Sequence, residues 1–134
     1  MKQVEERWVL EDNVRPWTMN SERRWHYHKR ASIVRECRER FAWLALAQKV
    51  PRLDYVSIDV VPFTKTRSSI ADPAACYPAA KAAIDGLVDA NVIEDDSGVY
   101  IKKISFWSPQ ISNYEALRLV INKERKSDER NNDD

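Results

Sequence analysis

DPAACYPAAKAAIDGLVDANVIEDDSGVYIKKISFWS, residues 72–108, reads as a loop, a helix, a closing turn and a strand in succession. The alanine-rich part predicts a helix from Pro78 to about Ala90. Proline is tolerated at the first helical position, where its missing N–H would have no partner. Asn91 is suited to the left-handed conformation that closes helices. Ala80, Ile84, Leu87 and Val88 share one face and are expected to lie on a sheet, with Lys81 and Asp85 four residues apart at its edge. In residues 99–108, Tyr100, Lys102, Ile104 and Phe106 alternate with Val99, Ile101, Lys103, Ser105 and Trp107, which predicts a strand.

Working outward, LDYVSIDVVPF (53–63) alternates with Val56, Ile58 and Val60 on its apolar side, the pattern of a strand with one buried face. Val34, Cys37, Phe41, Leu44 and Gln48 recur every three or four residues, which predicts one helix from a Ser21 cap to about Lys49, stopped by Pro51. ERWVLE (6–11) reads as a short strand, and EALRLVINK (115–123) as the partner of the 99–108 strand across a PQISNY turn region. TKTRSSIA (64–71) reads as a mobile loop. The expected class is α+β: a small mixed β-sheet with two main helices in the order β-α-β-α-β-β. Residues 1–122 form one domain in this reading, and the charged segment 123–134 is a disordered tail.

Composition excludes several classes. No apolar run approaches the ~20 residues of a membrane span, and the opening MKQVEERWVLED is too polar for a secretory signal. Cys37 and Cys76 form no CxxC pair, so neither a disulfide framework nor a zinc site is expected, and a cytoplasmic location follows. Two glycines in 134 residues argue against a glycine-rich phosphate loop.

The net charge of +1 hides segregation. Between Arg15 and Arg40, eight basic residues face only Glu22, Glu36 and Glu39. Between Asp72 and Gly98, six acidic residues face Lys81 alone, while Lys65, Arg67, Lys102 and Lys103 flank them. An acidic knot between basic segments suits an enzyme that holds a divalent ion with carboxylates and a polyanion with cations. A salt-bridged surface whose signs happen to cluster explains the charges equally well. If Asp72 folds back along the helix towards Asp95 and Asp96, the carboxylates repel unless a cation sits among them. Mg²⁺ or Mn²⁺ suits such oxygen ligands. The spacing alone favours the plainer reading, a helix with ordinary solvated acidic ends and a turn at Asp95 and Asp96.

The chain resembles the RusA family of Holliday junction resolvases, which are mostly small phage-borne endonucleases. The likeness is carried by Asp72, by KAAIDGLVDANVIEDD from Lys81 to Asp96, and by PWTMNSERRWHYHKR with its Asn20. It covers most of residues 15–122. It implies a homodimer that cuts four-way DNA junctions with Mg²⁺. Asp72, Lys81 and Asp96 then match catalytic positions, and Asp72, Asp85, Asp95 and Asp96 the metal ligands. Arg23, Arg24, Lys29, Arg30, Lys65, Arg67, Lys102 and Lys103 are the expected DNA contacts. Where the family pattern has a second Asp followed by Asn, this chain has Ala74 and Ala75, and the distance to Lys81 is longer. The departure raises the alternative of a junction-binding protein without cleavage.

Other residues carry weaker signals. His26 and His28 stand among arginines and lysines and read as phosphate contacts or as solvation of the helix start. The five tryptophans read mostly as core or dimer interface. Cys37 reads as a small buried hydrophobe, and Cys76 as a reactive neighbour of the acidic site.

Overall fold

The computed structural model describes residues 6–66 and 72–126. In chain order its elements are β1 (Arg7–Asp12), α1 (Met19–Arg23), α2 (Tyr27–Ala47), β2 (Val56–Thr64), α3 (Tyr77–Asp89), β3 (Ile101–Phe106), β4 (Gln110–Ile111) and β5 (Ala116–Lys123). The class is the expected one, a mixed sheet carrying helices. Strand order is β1-β5-β2-β3, with β4 pairing the far end of β2. β5 runs antiparallel to both β1 and β2, whereas β3 and β4 run parallel to β2. Among the described residues, no helix is long and apolar enough to cross a membrane.

The expected pairing of 115–123 with 99–108 is therefore corrected. β5 inserts between β1 and β2, and β3 occupies the outer edge beside β2. The reason is a parallel crossover: β2, α3 and β3 form a βαβ unit, which brings β3 back beside β2 in the same direction. The PQISNY segment is not a simple turn either, because Gln110 and Ile111 pair with Phe63 and Thr64.

Strand alternation builds one layer of the core. Leu10, Val56, Ile58, Val60, Leu117, Leu119 and Ile121 are all buried and belong to one apolar cluster with Phe41 and Cys37 of α2 and with Ala80, Ile84 and Leu87 of α3. The intervening positions Asp59, Val61, Arg118, Val120 and Asn122 are only partly covered. There Asn122 donates to Asp59 at 3.1 Å, and the Arg118 guanidinium lies 4.5 Å from the Phe63 ring centre.

The apolar stripe of α2 is borne out at Cys37 and Phe41, which are buried, with Val34 and Leu44 partly covered; Ala45, not Leu44, is the third buried residue, and Gln48 is exposed. The helix is nevertheless broken upstream. Thr18, not Ser21, caps the short α1 by accepting the Ser21 N–H at 3.2 Å. His26 then caps α2 by accepting the His28 N–H at 3.2 Å through Nδ1. Two side-chain acceptors close together each start a helix, so the chain turns between them.

α3 is buried on more than one face: Ala79, Ala80, Ala82, Ala83, Ile84, Gly86 and Leu87 are all enclosed. Its closest neighbour is α2. A Cβ at Gly86 would stand 2.5 Å from the Arg38 carbonyl oxygen and 3.0 Å from the Ala42 nitrogen, so the helices cross here nearly backbone to backbone. Arg38 and Asp89 tie the same pair of helices, with Nη2 2.8 Å from Oδ1. Asn91 closes α3 at φ 62°, the left-handed conformation expected of it.

The boundary placed after residue 122 moves outward. Lys123 pairs with Val56, the Glu124 N–H donates to the Tyr55 carbonyl at 2.8 Å, and Ser57 Oγ donates to Glu124 at 2.6 Å. The tail proper (127–134) and most of the loop at 64–71 lie outside the described residues.

Candidate functional site

Lys81 lies on α3, one turn before Asp85, and its ammonium donates to Asp85 Oδ1 at 2.8 Å. It also donates to Asp96 Oδ2 in the turn that follows the helix. Val92 and Ile93, both fully buried, pin the start of that turn, and the Val92 carbonyl accepts the Leu53 N–H at 2.7 Å. The left-handed Asn91 and the buried anchors that follow it fold the acidic turn back beside the helix. Asp85 and Asp96 thus converge on one positive charge.

The electrostatics follow from that convergence. Partial burial works against the charge on Lys81, but its bonds to Asp85 and Asp96 outweigh it and raise the pKa above the ordinary lysine value. The hydrogen bond from Lys81 holds Asp96 below the ordinary carboxylate range against partial desolvation, and Asp95 adds a smaller contribution in the same direction. Lys81 is therefore fully protonated and Asp96 fully ionised at neutral pH.

The six acidic residues of the knot divide into groups that sequence could not separate. Asp85 and Asp96 meet at Lys81, and Asp95 lies beside Asp96. Asp89 is held by Arg38, and the Tyr100 hydroxyl donates to Glu94. Asp72 folds onto its own turn: its Oδ1 accepts the Ala74 N–H at 2.9 Å, and its carbonyl accepts the Ala75 N–H at 3.0 Å. Among the described residues no hydrogen bond or ion pair joins Asp72 to the Lys81 cluster, and no three His, Cys, Asp or Glu side chains are grouped to hold a metal.

In donor type the cluster fits a hard divalent ion. Mg²⁺ commonly takes only one or two carboxylates and keeps its waters, and Asp85 and Asp96 already present oxygens to a single cationic centre. Lys81 has a flexible four-carbon stem and is 44% exposed, so its nitrogen can swing away from that centre.

A cleft of about 480 Å³ opens beside the cluster, lined by Met19, Glu22, Arg30, Tyr77, Lys81 and Asp85 among others. The Met19 N–H donates to the Ala75 carbonyl at 3.1 Å and so fastens α1 to the Asp72 turn. Of the expected DNA contacts, Arg30 reaches this cleft, although it also lies 3.5 Å from Glu22. Arg23 and Arg24 are exposed on the adjoining α1 turn, and Lys29 lies 5.4 Å from the Trp25 ring centre. Lys65 lines a different recess with Arg15 and Glu115. On β3, Lys102 is 3.6 Å from Glu124 and Lys103 is exposed. Arg67 lies outside the described residues.

Cys76 proves to be enclosed rather than reactive. It is 1% exposed, and burial pushes its thiol up to about 11. Cys37 is enclosed as expected, its thiol raised to about 12 by burial. Trp17 is buried and Trp8 and Trp25 are half-covered, whereas Trp43 and Trp107 stand exposed. Sequence reasoning missed the Arg38–Asp89 link, whose partners are 51 residues apart with no local pattern to pair them.

No protein-family model matches this chain, and no curated protein matches it.

Proposed function

We propose that this protein is a Mg²⁺-dependent endonuclease acting on branched DNA, in the manner its sequence resemblance to RusA-type resolvases implies. The single observation that supports it most is the convergence of Asp85 and Asp96 on one cationic centre beside a cleft reached by Arg30. Asp85, Asp96 and the adjacent Asp95 are the residues that would hold Mg²⁺ or Mn²⁺. When bound, such an ion polarises a phosphoryl oxygen and makes a coordinated water more acidic.

The chain's own groups do the rest. Lys81 remains protonated, so it acts as a charge and not as a base, and stabilises negative charge growing on the phosphate. Asp96 stays ionised and keeps its acceptor oxygens available. Arg30 and the exposed Arg23, Arg24 and Lys29 position the phosphate backbone without reading sequence. Paired cuts on a two-fold junction call for two matching sites, so the working form is a homodimer, and its place is the cytoplasm.

A second reading, a junction-binding protein without cleavage, is favoured by two observations. Lys81 already satisfies both carboxylates, and Ala74 and Ala75 provide no side-chain oxygen beside Asp72. The deciding experiment incubates the protein with an end-labelled four-way junction and Mg²⁺ at low salt. Symmetric nicks support the nuclease, and a retarded but uncut band supports the binding protein. Absence of retardation at low salt rejects both.

A further inference from the structure

A second surface lies between the end of β1 and the middle of α2, where a cleft of about 380 Å³ is lined by Glu11, Asp12, Glu36, Glu39, Arg40 and Trp43. We infer that this cleft docks an extended, arginine- or lysine-bearing segment of a partner protein. The inference does not depend on the nuclease reading.

Apolar exposure marks the surface. Trp43 is 66% exposed and Leu46, one turn further along α2, is 64% exposed. Large indoles are the side chains that most often anchor protein interfaces. Beside them runs β1, an outer strand that among the described residues is bonded only to β5, so no described strand pairs with its other edge. An extended segment can add to such an edge while its side chains reach the cleft.

The charges select the occupant. Arg40 is taken up by Asp12 at 2.8 Å, and Glu11 by Arg118 at 2.8 Å. The Glu36 and Glu39 carboxylates make no hydrogen bond or ion pair among the described residues. The charge left free beside the indole is therefore negative, and a guanidinium or ammonium entering there meets both carboxylates and the face of Trp43. Nucleic acid is repelled by the same carboxylates.

The experiment measures fluorescence anisotropy of a labelled Arg-Val-Arg-Val-Arg-Val peptide and its Glu-Val counterpart with the full chain at low salt. Saturable binding of the basic peptide alone is expected. Trp43→Ala should weaken it at least about tenfold, with Trp43→Phe closer to the parent. Glu36→Lys/Glu39→Lys should abolish it and admit the acidic peptide; both sites are exposed, so the fold is retained. The inference is overturned by the absence of saturable binding up to about 1 mM, by equal binding of the two peptides, or by variants that bind as the parent does. A sedimenting dimer that Trp43→Ala dissociates would assign this face to a second copy and also overturn it.

Discussion

Gly86→Ala should destabilise the protein, although alanine is the better helix former. The added methyl would lie 2.5 Å from the Arg38 carbonyl oxygen, 3.0 Å from the Ala42 nitrogen and 3.1 Å from Phe41 Cβ. Two of these neighbours are backbone atoms inside α2, so no side chain can rotate away, and the helices must separate. Overpacking of this kind costs roughly 1–3 kcal/mol or more, against a gain of about 0.5–1 kcal/mol from replacing a helical glycine. The expected net loss is about 1–2 kcal/mol. Unfolding entropy for a chain of this size makes that a fall of about 4–7 °C in melting temperature. Urea titration followed by circular dichroism supplies the free energy, with the slope unchanged if the unfolded state is unaffected. A variant as stable as the parent would refute the close crossing at Gly86, and with it the packing that sets Lys81 and Asp85 at the cleft.

Asp96→Asn removes the charged acceptor of Lys81, and on the proposed function it abolishes junction cutting in a gel assay while leaving band retardation intact. Asp89 and Asp96 both have folded-state pKa values below the ordinary carboxylate value, led in each case by the hydrogen bond from Arg38 or Lys81. Their contribution to stability is fully present above the ordinary value of about 3.9 and is lost as pH falls through the lower folded value. Denaturation curves should therefore show Asp89→Asn losing less stability than the parent between about pH 5 and pH 2. Neither Cys76 nor Cys37, with thiols at about 11 and about 12 and side chains enclosed, should react with a thiol reagent at neutral pH until the protein is unfolded.

The order of elements was legible because each signal is local. Alternation marks β2, the three-and-four spacing marks α2, and Pro78 with Asn91 brackets α3. Strand order was not legible, since the pairing of Val56 with Lys123 joins residues far apart in the chain, and no neighbouring pattern announces it. The break between α1 and α2 escaped notice because His26 acts through a ring nitrogen, and histidine is not among the residues that usually cap helices. At the site, the Lys81–Asp85 bond follows from helical spacing. The arrival of Asp96 depends on how the 91–96 turn folds, which only the family likeness suggested. Asp72 was expected among the other carboxylates because the family likeness placed it there, yet its short side chain beside an exposed amide is satisfied locally by its own turn.

The position of β5 has a bearing on synthesis. This late strand fills the gap between β1 and β2, two segments that have no direct pairing with one another. In a ribosome-bound chain shorter than about residue 116, no strand pairs β1 with the β2–α3–β3 unit, and the two are linked through α2 with the flanks of both strands open. The acidic cluster on that crossover unit thus acquires its full support only after the strand that contributes none of its residues has been made.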